Sequence, residues 1–133
     1  MACSLLIGLL ALLLLRIIAV AEDQIPIRAA SDLKGKWSGV GGPGAFGGST
    51  VGTFDVTFKD DGTFVSVFKN RSGQTFTTQG SFEPKGDGTA TASGRENFGT
   101  YRLFDVNGKR LLRFEGKSRR TGESTWGEVN EEK

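Results

Sequence analysis

The sequence predicts an all-β fold: an antiparallel, up-and-down barrel of eight strands in one domain. Three observations predict it. From residue 35 onward, short runs alternate apolar and polar residues with a period of two, the signature of half-buried strands. Gly, Asn and Asp clusters break these runs at regular spacing, as in a meander. No segment of this body carries a 3.6-residue apolar period, and hairpin-linked strands lose their free edges most simply by closing on themselves. An open sandwich is the alternative. A length of 133 residues allows one domain rather than two.

The eight expected strands follow in order. The first is Gly35–Val40. The second, Val51–Phe58, sets Phe54, Val56 and Phe58 against Thr53, Asp55 and Thr57. Asp60-Asp61-Gly62 is a tight turn. The third, Thr63–Lys69, is apolar on both faces, with Phe64 and Phe68 on one and Val65 and Val67 on the other. Asn70-Arg71-Ser72-Gly73 turns into the fourth, Gln74–Phe82, with Phe76 and Phe82 on one face. Pro84 and Gly86-Asp87-Gly88 end it. The fifth, Thr89–Ser93, is weak and small, with Ala90 and Ala92 facing one way. The sixth, Phe98–Val106, meets Asn107-Gly108, a two-residue type I′ hairpin signal. The seventh is Lys109–Gly116. A basic turn through Thr121-Gly122 leads to the eighth, Ser124–Val129.

Residues 1–21 differ in kind. Eighteen of these 21 are apolar, whereas only 31 of the 112 residues from Glu22 onward are. The run Leu5–Leu15 is short of the roughly 20 residues of a bilayer span and ends at Arg16. Ala19-x-Ala21 before Glu22-Asp23-Gln24 has the small-residue pattern of a signal-peptidase site. The reading is a signal peptide, 1–21, cleaved after Ala21, and hence a secreted or periplasmic protein with no stable membrane insertion. An uncleaved N-terminal anchor is the alternative. The remainder divides into a polar N-terminal arm, 22–34, the barrel, 35–130, and an acidic tail, 131–133. The only cysteine, Cys3, lies in the leader, so the body relies on its core instead of disulfides.

Composition excludes whole classes of chemistry. With no His, the chain supports neither Ser-His-Asp nor Cys-His catalysis, nor a His-ligated haem, zinc or copper. A net charge of +2 argues against nucleic acid as a partner. Asp60-Asp61 and Glu131-Glu132 sit in a turn and a tail, where nothing raises a carboxyl pKa for acid catalysis. The expectation is a non-enzyme without a cofactor or metal. Gly39-Val40-Gly41-Gly42-Pro43-Gly44 fits G-x-G-x-x-G, but a strand rather than a helix follows it, so no dinucleotide site is expected. Asn70-Arg71-Ser72 is a glycosylation sequon on a turn.

Asp32-Leu33-Lys34-Gly35-Lys36-Trp37 resembles the opening of calycin-type barrels, the lipocalin, avidin and fatty-acid-binding superfamily, whose shared signature is Gly-x-Trp on the first strand. Gly35 and Trp37 match it. The resemblance implies an eight-stranded barrel that binds a small apolar or amphipathic ligand, with the Trp closing one end beneath an Arg or Lys. Arg113, Arg119 and Arg120 are the candidate cations. The segment Gly35–Gly41 is also similar to the first strand of nitrobindin-type haem barrels.

The candidate ligand-binding residues are Trp37, Phe46, Phe54, Phe58, Phe76, Phe82, Tyr101 and Phe114. Gly39–Ser49, with Phe46 near its tip, reads either as a mobile first loop able to cover the barrel mouth or as a disordered connector. The size argument favours a filled interior over a cavity, because eight strands leave room for little more than their own side chains. Lys109, Arg110, Arg113, Lys117, Arg119 and Arg120 gather charge on the seventh strand and its turn, where interleaved Asp105, Glu115 and Glu123 favour an ordinary solvated face. The function expected is a non-catalytic lipocalin-like binding protein. The alternative is a packed barrel that engages a protein or an envelope polymer, for example as a protease inhibitor using its N-terminal arm.

Overall fold

The computed structural model describes residues 22–132; the leader and its cleavage site lie outside the described residues. The chain forms nine strands: β1 (Glu22–Ile25), β2 (Gly35–Pro43), β3 (Gly52–Phe58), β4 (Thr63–Asn70), β5 (Thr75–Pro84), β6 (Ala90–Gly94), β7 (Asn97–Val106), β8 (Lys109–Ser118) and β9 (Ser124–Glu131). Strands β2 to β9 close into an antiparallel eight-stranded barrel, sealed by pairing of β2 with β9. The expected up-and-down barrel is thus the observed one. Asn107 and Gly108 both have positive φ, as a type I′ hairpin requires.

β1 lies outside this series. β6 pairs with β7 only over Phe98–Tyr101, whereas β1 pairs with Leu103–Val106, the half of β7 that β6 leaves bare. The segment 22–34, expected as a polar arm, is therefore laid onto the barrel. Its few apolar side chains are its anchors, since Ile27 and Leu33 are fully buried. A single 3₁₀ turn, Ala30–Leu33, caps this end of the barrel, and Asp32 accepts hydrogen bonds from the Arg28 and Ala29 amides. The acidic tail is likewise partly structural: β9 runs on to Glu131, whose carboxylate pairs with Arg110 at 3.4 Å.

Two closed-end turns are built alike. Asp61 Oδ1 accepts from the amide and hydroxyl of Thr63, and Asp87 Oδ1 from those of Thr89. These bonds hold both carboxyl groups below their ordinary pKa.

The closed end is sealed by Trp37, which has no exposed surface. Its indole Nε1–H donates to the Leu33 carbonyl at 2.9 Å. The cation over its ring is Arg110, 5.2 Å from the ring centroid, and not Arg113, Arg119 or Arg120. Arg110 also donates to the Asp32 carbonyl. The reason is strand alternation. Arg110, Leu112 and Phe114 share the inner face of β8, whereas Arg113 points outward to Glu22 and Glu128.

The interior is not filled. Beyond Gly35 at the start of β2, eight of the inward positions that a packed core would occupy are glycine: Gly39 and Gly41 on β2, Gly52 on β3, Gly80 on β5, Gly94 on β6, Gly99 on β7, Gly116 on β8 and Gly127 on β9. Phenylalanine rings of neighbouring positions lie across them. A Cβ placed on Gly52 would meet Phe68 at 2.5 Å, one on Gly80 would meet Phe64 at 2.6 Å, and one on Gly99 would meet Phe114 at 2.8 Å. The same Cβ atoms would also strike backbone carbonyls of the adjoining strands. Glycine here permits the tight strand curvature of a small barrel and lets the rings rest against the wall. Counting apolar residues misses this, because the volume is missing from positions that carry no side chain.

Candidate functional site: the barrel lumen

The lumen is a cavity of about 330 Å³ open at the end opposite Trp37. Phe54, Phe58, Phe76, Tyr101 and Phe114 line it, as expected of them, together with Phe64, Phe68 and Val56. Phe64 and Phe68 lie on the inner face of the third expected strand, so period-two reading already held the signal for both. Their rings form a connected set. Phe58 packs edge-on to Tyr101 at 5.4 Å, and Tyr101 tilts against Phe114 at 5.4 Å. Phe54, Phe68 and Phe76 form a file running to the mouth, with spacings of 4.8 and 6.4 Å.

Three of the candidate residues stand elsewhere. Trp37 is the plug of the closed end. Phe82 is buried edge-on to Phe58 and is not among the residues that line the lumen. Phe46 is on the outer wall. Its loop, residues 44–51, folds back over the outward face of β2 and β9, where Gly42 leaves room for the Ser49 carbonyl. Phe46 meets the edge of Trp126 at 5.6 Å and lies under the Arg113 guanidinium at 4.6 Å. In this conformation it is not a cover for the mouth. Burial disfavours the charge of Arg113, but hydrogen bonds to Glu22 and Glu128 outweigh that and raise its pKa. Arg113 thus clamps β1 and the loop to one patch of wall.

The polar groups of the lumen are few. Ser66, Thr78, Thr125, Asn97 and the Tyr101 phenol line it, with one carboxylate, Glu96, and no Lys or Arg. Thr125 Oγ1 is buried without a hydrogen-bond partner. Tyr101 is buried, and burial alone pushes its pKa well above the ordinary phenol value. Among the described residues no group of three or more His, Cys, Asp and Glu is placed to hold a metal. The arrangement offers an aromatic wall and scattered neutral hydrogen-bonding groups.

The phenol makes a testable point. Above pH about 10 the unfolded chain releases the tyrosine proton and the folded chain retains it. A pKa raised by folding means stability is fully present below that pH and declines as pH rises, by about 1.4 kcal/mol per unit. Tyr101→Phe is expected to remove this decline, measured as urea midpoints of the two proteins from pH 8 to 11. Tyr101 is the sole tyrosine, so phenolate absorbance reads it directly and should appear only with unfolding. Parallel curves for both proteins would contradict the burial.

No family model, curated protein or solved structure matches this chain.

Proposed function

We propose that this protein is a non-catalytic carrier that holds one small apolar or amphipathic molecule inside the barrel. The observation that supports this is the open lumen of about 330 Å³ with its aromatic wall. Ligand sites occupy about 300–1,000 Å³ and combine apolar lining with a few polar groups. The lumen is at the small end of that range. Its cargo is accordingly compact, on the scale of a few fused or linked rings or a short chain.

The lining also bears on charge. A buried carboxylate or phosphate of the cargo would find no cation in the lumen, and an unpaired buried charge is costly. The inner end of the cargo is therefore uncharged, with the Tyr101 phenol as its hydrogen-bonding group. The leader, residues 1–21, supports a secreted or periplasmic setting, with an anchored form as the alternative. In the other reading, a packed barrel using an N-terminal arm, Glu22–Ile25 would have to leave β7 and Arg113 before reaching a partner.

The test is native mass spectrometry of the protein after incubation with a lipid extract. A retained neutral molecule of low mass is the expected result. Recovery of ligand-free protein alone, across polar and apolar extract fractions, would overturn the proposal.

A further inference from the structure

The charges of this nearly neutral chain are sorted along the barrel axis. The cations of the seventh expected strand and its turn are spread along that axis. Lys109 and Arg110 lie at the closed end, Arg113 at mid-wall, and Lys117, Arg119 and Arg120 at the mouth. There the last three join Lys69 and Arg71 of the β4–β5 hairpin and Arg95 of the β6–β7 turn. Against these six cations the mouth carries two carboxylates, Glu96 and Glu123. None of the six forms an ion pair among the described residues. At the closed end carboxylates outnumber cations. Arg71 and Arg119 do make hydrogen bonds, but to the neutral acceptors Thr50 O, Gly94 O and Ser93 Oγ, which fix the charges without cancelling them.

The same rim holds exposed aromatic surface. Phe76 is 53% exposed and Phe98 42% exposed, the two most exposed aromatic rings of the described chain. Arg119 lies over Phe98 at 5.1 Å. Phe76 is the outermost ring of the file that continues through Phe68 and Phe54 into the lumen. Cations ringing aromatic side chains are what an anionic lipid surface recognises. The cations meet head groups within a Debye length, and the rings settle at the interface. A bilayer interface engages both the cations and the exposed rings, whereas an anionic polysaccharide is held by the cations.

We infer that the barrel docks mouth-first on a membrane surface rich in anionic lipid, with Phe76 and Phe98 at the interface and the lumen opening toward the bilayer. Docking does not depend on the carrier proposal, since it needs only the rim. The two together give a cargo of low water solubility a direct path from bilayer to lumen.

The full chain is tested by flotation with phosphatidylcholine vesicles, with and without phosphatidylglycerol. The leader carries its own cation, Arg16, so the share of the rim is read from substitutions that leave residues 1–21 unchanged. Anionic vesicles are expected to bind more tightly, and roughly 0.5 M salt, where the Debye length falls to a few Å, should erase the difference. Lys69, Arg95 and Arg120 make no side-chain hydrogen bonds or ion pairs among the described residues, so Lys69→Glu, Arg95→Glu and Arg120→Glu together are expected to leave the fold intact. At about fivefold per basic residue near an anionic surface, the triple variant should lose about 100-fold or more of the anionic-vesicle affinity. Lys36→Glu, Lys59→Glu and Lys85→Glu, the matching triple at the closed end, should lose far less. Equal losses in the two triples, or equal binding to both vesicle types, would overturn the inference. So would retention on a heparin column at salt that has already released the vesicles, which would point to an anionic polymer. Native mass spectrometry reads the carrier proposal separately, so either can fail alone.

Discussion

Trp37→Ala is expected to destabilise the folded barrel by about 3–5 kcal/mol, the usual range for truncating a buried aromatic side chain. Three losses combine. The fully buried ring of Trp37 seals the closed end against Phe58, to which it packs edge-on at 6.3 Å. Without the indole the Leu33 carbonyl loses its donor, and the 3₁₀ turn loses the bond that ties it to β2. Arg110 loses the ring beneath it while its own Nε, already buried without a partner, stays buried. Urea denaturation followed by circular dichroism measures the loss, and a decrease below about 1 kcal/mol would mean that the plug is peripheral. Trp37→Phe keeps part of the apolar area but not the donor, and should fall between the two proteins.

Ser66→Phe is expected to remove ligand binding while sparing the fold. Ser66 faces the lumen from the middle of β4, between Val56 and Thr78. A ring there enters empty space, so the strain of overpacking a filled core does not arise. Titration with the neutral fluorescent probe N-phenyl-1-naphthylamine should show affinity falling about 100-fold or more, a change of about 2.7 kcal/mol. The urea midpoint should hold or rise. Unchanged probe affinity would place the binding surface outside the lumen.

Most of the fold was legible because its strands obey local rules. Phe54, Val56 and Phe58 alternate cleanly, and Asn107-Gly108 dictates its own turn. β1 was not legible. Glu22-Asp23-Gln24-Ile25 has neither β-propensity nor alternation, and it becomes a strand only because β6 is too short to cover β7. Here tertiary pairing overrides local preference. Arg110 was recoverable, since it shares a face with Leu112 and Phe114, but charge counting alone did not separate it from Arg113. The lumen was hidden for a different reason. Apolar counts measure the side chains that are present, and this interior is shaped by inward positions where none is. Phe46 was misassigned to the mouth because nothing in a glycine-rich loop says which way it will fold.

The ring-over-glycine wall limits how such a protein can diversify. In many barrels a new cargo is accommodated by enlarging or trimming whichever side chains face inward. In this one the inward glycines are committed to two tasks at once, so replacing Gly52, Gly80 or Gly99 displaces a ring and strikes a neighbouring strand together. Adaptation to another cargo is thereby channelled to the small inward residues that carry no such double duty: Ser66, Thr78 and Ala92. Relatives of this chain that handle different molecules should hold the glycines constant and differ at those three positions.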